Sequence, residues 1–331
     1  MRRIPLIALI VLTFALPIPA MAQSPTPAAS SPAAASGDFS GLVDIGGRSL
    51  YLECHGEGSP AVILVAGYRA SGRFWSDDLL QPDAPRQMVL AGVAETTRVC
   101  TYDRPGTVAS IGEDDVVSRS DPIAQPRTAP ELVAELHALL QAAEVPGPYV
   151  LAGHSMGGFF ARLYAATYPD EVVGLVLVDA YSEQTETLMT PEQWEAMGQL
   201  SRELGSDTVV PIPGYGDLET IGFGADNATM REAVAASPLP PMPLAVLAHG
   251  KPIISLDGTR GFTTAEWEAL QQASYEALAA LVPRARFSVA SESGHDIHQD
   301  QPELVIEAIR QVVTGVRNPD TWYDMSSCCT E

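Results

Sequence analysis

The chain has 331 residues, a length that as a prior suits about two domains but that α/β enzymes often fill as one. With 46% hydrophobic and 18% charged residues it is neither a disordered nor a fibrous chain. Acidic residues outnumber basic ones 41 to 19, a net charge of −22 that repels phosphate backbones and excludes nucleic-acid binding.

The N-terminus reads as an export signal. Met1-Arg2-Arg3 is a short cationic start, residues 4–16 are apolar apart from Pro5 and Thr13, and Ala20-Met21-Ala22 is a small-x-small cleavage pattern. The apolar run is shorter than the ~20 residues a bilayer-spanning helix needs. Signal peptide 1–22 is therefore expected to be removed, leaving no stable membrane insertion and an exported chain, periplasmic or extracellular. Residues 23–37 are almost wholly Ser, Pro, Ala and Thr and read as a linker. Four cysteines remain, Cys54, Cys100, Cys328 and Cys329. An oxidising compartment permits disulfides, but three pairings are open, and the spacing matches no zinc pattern, so no metal is expected.

The folded domain is expected over 38–317, with 318–331 as a tail carrying the last two cysteines. Residues 42–45 and 50–54 flank Gly46-Gly47 as a hairpin. The continuously apolar run 61–65 reads as a strand buried on both faces, and 98–102 as another, closed by Asp103-Arg104-Pro105-Gly106. In 128–143 the spacing of Leu132, Leu136, Leu139 and Leu140 gives one apolar helix face, stopped by Pro146. Strand 149–152, helix 159–168, strand 172–178, strands 244–248 and 286–290, and a helix 303–313 led by Pro302 complete the order. Strands alternating with helices imply a mostly parallel sheet covered on both faces. Between 181 and 242 this rhythm breaks into helical pieces at 191–204 and 227–236 with Gly- and Pro-rich turns, read as an inserted lid.

The segment Gly153-His154-Ser155-Met156-Gly157 is a G-x-S-x-G pentapeptide placed after a strand and before a helix. That context makes Ser155 the candidate nucleophile, on a sharp turn whose glycines let strand and helix approach. A serine hydroxyl needs a base. Of six histidines, His295 lies on the loop between the last strand and the closing helix and is the candidate, with His298 as a neighbour that tunes or shields it. His55 and His137 read as structural, His154 as pointing elsewhere, and His249 as a weak candidate. Two acids compete to orient the base: Asp179 at the end of strand 172–178, and Asp257 well after strand 244–248. Asp179 is favoured because open α/β sheets assemble sites at strand ends. The oxyanion donors are expected to be the backbone N–H groups of Met156 and of Tyr68.

With these pieces in place, the chain resembles the α/β-hydrolase fold superfamily over 41–316, and within it looks like the bacterial exported serine hydrolases of esterase type. The resemblance is carried by Val65-Ala66-Gly67-Tyr68, Tyr102-Asp103-Arg104-Pro105-Gly106, the Ser155 pentapeptide with Gly158, Leu175-Val176-Leu177-Val178-Asp179 and Gly294-His295-Asp296-Ile297-His298. Two features depart from it: Ala66-Gly67 stands where His-Gly is usual, and the Asp-rich turn after the penultimate strand is missing. Asp103 and Arg104 are read as a structural turn. The resemblance and the residues together lead to the expectation of an enzyme without cofactor that cleaves esters of small uncharged molecules through an acyl-enzyme. Tyr68, Trp75, Phe159 and Tyr181 are the aromatic residues expected near the site. Amides, lactones or perhydrolysis on the same triad, and a non-catalytic ligand-binding protein, are the alternatives. Oligomeric state is left open.

Overall fold

A computed structural model describes residues 37–111, 114–203, 205–253 and 263–323. The expected signal segment, most of the linker, Leu204, Asp257 and the Cys328-Cys329 pair lie outside the described residues.

The strands are β1 (Phe39–Asp44), β2 (Ser49–His55), β3 (Ala61–Val65), β4 (Val99–Tyr102), β5 (Val108–Ile111), β6 (Asp114–Val117), β7 (Tyr149–His154), β8 (Val172–Val178), β9 (Pro211–Ile212), β10 (Gly216–Asp217), β11 (Leu244–His249) and β12 (Arg286–Ala290). Eight of them form one sheet in the order β1-β2-β4-β3-β7-β8-β11-β12. The hairpin β1-β2 and the pair β2-β4 are antiparallel, and every pairing from β4 to β12 is parallel. β5-β6 and β9-β10 are separate two-stranded ribbons. The expected fold, an α/β hydrolase with a mostly parallel sheet, is the one observed.

Helices α1 (Arg73–Ser76), α2 (Val89–Ala94), α3 (Ala129–Ala142), α4 (Met156–Thr167), α5 (Gln184–Leu188), α6 (Pro191–Glu203), α7 (Phe223–Ala236), α8 (Thr264–Ala279), α9 (Ile297–Asp300), α10 (Pro302–Arg317) and α11 (Pro319–Tyr323) surround the sheet. The alternation of a strand sorts the core into two layers. In β3, Ala61, Ile63 and Val65 join the layer with Leu132, Leu136 and Phe159, whereas Val62 and Leu64 join the layer with Trp75, Val89 and Ile309. All five β3 residues are buried, as an uninterrupted apolar run requires. Each such Val, Leu or Ile contributes about 1.5–3 kcal/mol of burial.

Local chemistry sets the helix ends. Thr128 and Glu131 form a capping box that starts α3, and Thr263 with Glu266 does the same for α8. Helix α8 is absent from the sequence expectations, although that capping box and the spacing of Trp267, Leu270, Tyr275 and Leu278 announce it. Cys54 and Cys100 face each other across the β2-β4 pair and form a disulfide, the bridge among the described residues. Between β8 and β11 the inserted segment carries α5, α6, the β9-β10 ribbon and α7, which begins at Phe223, one turn earlier than expected.

Candidate active site

The parallel strands β7, β8 and β11 are neighbours and deliver Ser155, Asp179 and His249 to the same sheet edge. Ser155 sits between β7 and α4 at φ 52° and ψ −124°, a conformation that costs a non-glycine residue about 1–3 kcal/mol. The turn is held from outside. The Ser155 N–H donates to the Val178 carbonyl at 3.0 Å, and the Tyr181 N–H donates to the Ser155 carbonyl at 3.0 Å. Gly157 is needed for close approach, because a Cβ there would run into the carbonyl oxygens of Val65 and Ala66. At Gly67 a Cβ would stand 3.0 Å from His154 Nδ1 and 3.2 Å from Ser155 Cβ.

Asp179 follows β8 at φ 44°, and its N–H donates to the Leu247 carbonyl at 2.8 Å. Its carboxylate is buried, and Oδ2 accepts from His295 Nδ1 at 2.6 Å. Donation from Nδ1 leaves Nε2 as the basic nitrogen. The other oxygen, Oδ1, accepts from the His249 N–H at 3.0 Å and from His249 Nδ1 at 2.8 Å. Burial alone would raise the Asp179 carboxyl, but the hydrogen bonds from His249 and His295 outweigh it and hold the group well below the usual carboxylate range. Burial pushes the His295 imidazole down, and its bond and charge interaction with Asp179 turn that into a net rise.

Ser155, His295, Gly67, Tyr68 and Met156 line one cavity of about 420 Å³, together with Phe74, Tyr181 and Phe223. Met156 is the first residue of α4, so its N–H has no intrahelical acceptor and lies at the positive end of the helix dipole. The structure thus brings Ser155, His295, Tyr68 and Met156 to one cavity and places Asp179 behind His295. Of the aromatic residues expected near the site, Tyr68 and Tyr181 line the cavity, whereas Trp75 and Phe159 are core residues. Phe74 and Phe223 went unnoticed in the sequence. Tyr181 and Phe223 also border a second, largely apolar cavity of about 530 Å³ under the inserted segment, with Trp194, Met197 and Trp267.

His154 does not point away from the site, contrary to the sequence expectation. Its Nε2 donates to the His295 carbonyl at 3.0 Å, and its ring centroid lies 4.6 Å from that of His295. Burial holds its pKa down to about 3, so the ring is neutral. His298 is completely buried, 4.2 Å from the His154 ring and 4.6 Å from Trp75, and burial keeps it neutral as well. His154, Asp296 and His298 bring donor atoms within 4.8 Å of one another, but the Nε2 of His154 is committed to the His295 carbonyl, and we assign no ligand set there.

The loop bearing Tyr68 is clamped from below by Arg104. Its guanidinium donates to the Ala66 and Gly67 carbonyls at 2.9 and 2.5 Å and to both oxygens of Glu219 at 2.6 and 3.0 Å. Glu219 belongs to the inserted segment and also accepts from the Arg69 N–H at 2.6 Å. Asp103 accepts from the Gly72 N–H at 2.9 Å. The Asp103-Arg104 turn is structural, as expected, and what it supports is the loop facing Ser155.

A serine on a strand–turn–helix elbow, at the carboxyl edge of a sheet with this order, defines an α/β hydrolase. Residues 62–308 match the Alpha/beta hydrolase family, and the chain belongs to it. It is similar to the uncharacterized protein YqjL of Bacillus subtilis, 26% identical over 262 residues that span 78% of this chain and 86% of that one. A shorter stretch of 135 residues is 32% identical to the "Putative carbamate hydrolase RutD" of Yersinia enterocolitica, spanning 40% of this chain and 41% of that protein. Among solved structures, a membrane phospholipase A described as a bacterial virulence factor superposes with a TM-score of 0.51 at 19% identity, covering 85% of this chain and 87% of that one, a likeness of fold.

Proposed function

We propose that the protein is a serine hydrolase that cleaves carboxylic esters of small uncharged substrates through an acyl-enzyme. The observation that carries this reading is the 2.6 Å bond from His295 Nδ1 to the buried Asp179 carboxylate, behind a cavity that His295 shares with the strained Ser155. In the reaction, His295 Nε2 takes the Ser155 hydroxyl proton as the oxygen attacks the ester carbonyl. The oxyanion is met by the N–H groups of Met156 and Tyr68. His295 returns the proton to the departing alkoxide, then activates a water that releases the acid and regenerates Ser155.

The preference for uncharged groups rests on the lining. Phe74, Tyr181 and Phe223 supply apolar surface, and among its described lining residues the cavity has no Lys or Arg to pair with an anion and one carboxylate, Asp296. The Cys54–Cys100 disulfide favours an exported, oxidising location. Ser155→Ala tests the reading. The variant is expected to keep its circular dichroism spectrum and to lose both p-nitrophenyl ester turnover and labelling by a fluorophosphonate. Turnover at the wild-type rate in that variant would end the assignment.

A further inference from the structure

We infer that His249 is a second imidazole on the Asp179 carboxylate, a positioning residue that fixes this carboxylate and sets the charge against which His295 titrates. The inference deepens the hydrolase reading above and rests on it.

The geometry begins with the two carboxylates. His249 Nδ1 lies 2.8 Å from Asp179 Oδ1, and Nε2 lies 2.9 Å from Glu268 Oε2. An ionised carboxylate only accepts hydrogen bonds, so a ring bonded to one through each nitrogen carries two protons and is an imidazolium. The side chain of His249 is 3% exposed, which makes each of these charge-assisted bonds strong. Burial alone would lower its pKa, but the bonds and charges of Asp179 and Glu268 raise it to about 9.

The groups facing His249 are Asp179 from the end of β8, Glu268 and Tyr275 from α8, and His295 from the loop after β12. The Tyr275 phenol is 3.2 Å from Nδ1, and burial and the nearby Asp179 charge keep it protonated. On the other face of β11, helix α10 contributes the apolar Val305 and Ile309 to the layer that holds Ala245 and Leu247. His295 in turn faces Asp179, Asp296, His154, His298 and His249.

Two consequences follow. Two donors from His249 hold Oδ1, so the carboxylate cannot rotate and Oδ2 stays on His295. The positive charge of His249 opposes the pull of Asp179 on the His295 proton, so His295 is available as a base at lower pH than Asp179 alone would allow.

His249→Asn separates these effects, because the Asn amide reproduces the Nδ1 donor and the backbone N–H remains, while the charge is lost. The acid limb of kcat/KM for p-nitrophenyl acetate reports the free-enzyme base and is expected to move up by about one pH unit, with the high-pH plateau retained. An unmoved acid limb overturns the inference. NMR of the ring nitrogens in the wild-type full chain provides a readout independent of catalysis, with the His249 signals assigned by their loss in His249→Asn. Both nitrogens are expected to stay protonated from pH 5 to pH 8, and a neutral His249 at pH 7 also overturns it. Should the wild type turn over no ester, the hydrolase reading fails, and the NMR titration still decides the state of His249.

Discussion

Glu219→Gln tests whether the inserted segment holds the loop that faces Ser155. The side chains of Arg104 and Glu219 are 1% and 0% exposed, so the exchange leaves a guanidinium buried without its counter-charge. Burial pushes the Arg104 pKa down, and the Glu219 charge and hydrogen bonds more than reverse this, so Glu219 supplies the stabilisation that the buried guanidinium loses in the variant. Breaking a buried ion pair from one side costs about 3–5 kcal/mol. The Ala66 and Gly67 carbonyls keep two of the four Arg104 bonds, and Gln keeps one acceptor, which puts the expectation near 3 kcal/mol, the lower end of that range. Urea unfolding followed by circular dichroism measures this loss. Ester turnover should fall as well, by up to about two to three orders of magnitude if the Tyr68 N–H is displaced, because that is what losing one oxyanion donor costs. The double variant Arg104→Met, Glu219→Leu removes both charges and should regain most of the stability, since apolar replacements of buried pairs are often neutral. It should not regain the turnover, because the carbonyls of Ala66 and Gly67 have lost their anchor. A Glu219→Gln protein within about 1 kcal/mol of wild type, the size of a surface pair, would refute this account of the clamp.

Replacing Cys54 and Cys100 together by Ala opens a bridge that spans 46 residues, worth about 4 kcal/mol in loop entropy. The urea midpoint without reductant should fall accordingly, and equal midpoints would mean that the bridge contributes nothing. The pH dependence of stability follows from the neutral histidines. His154 is depressed to about 3 and His298 also lies well below its ordinary value, while an unfolded His gains its proton near pH 6.5. The unfolded chain therefore binds more protons, and His154 removes about 1.4 kcal/mol of stability per pH unit as pH falls from about 6.5 towards 3, with His298 acting in the same direction. His249, raised to about 9, contributes fully below about 6.5 and loses its contribution as pH rises through 9, so it leaves the acid slope untouched. His154→Gln keeps a donor for the His295 carbonyl and should flatten that slope by one group's share; urea melts between about pH 6.5 and 4.5 measure it.

Much of this arrangement is legible in the sequence because local rules produce it. The Ser155 turn announces itself through Gly153 and Gly157, since only glycine tolerates the carbonyls packed against that elbow. The strands are legible because burial on both faces demands unbroken apolar runs such as Val172–Val178. Partnerships across the sheet are not. Asp179 and His295 are 116 residues apart, and Arg104 and Glu219 are 115 apart, so no spacing rule connects them. His249 reads as a weak candidate because a histidine ending a strand has no pattern of its own; its role appears only when β8 and β11 lie side by side. Phe223 is hidden for the same reason, since its place at the cavity depends on where the inserted segment returns to the sheet.

The sheet explains how Asp179, at the end of β8, comes to lie against His295 and His249. Ser155 and Asp179 both hold positive φ values, 52° and 44°, at the ends of adjacent strands. Each is braced by the next strand over, Ser155 through the Val178 carbonyl and Asp179 through the Leu247 carbonyl. Two strained residues, at about 1–3 kcal/mol each, can persist because the parallel ladder over-determines them. At the end of β11 the corresponding place is filled by His249, whose backbone N–H and ring both turn back to Asp179. A carboxylate at that strand end would face Asp179 as a like charge, whereas an imidazolium there presents an opposite charge to Asp179 on one side and to Glu268 on the other. The places of Asp179 and His249 are therefore coupled, because without His249 the buried Asp179 carboxylate would lose two of its donors.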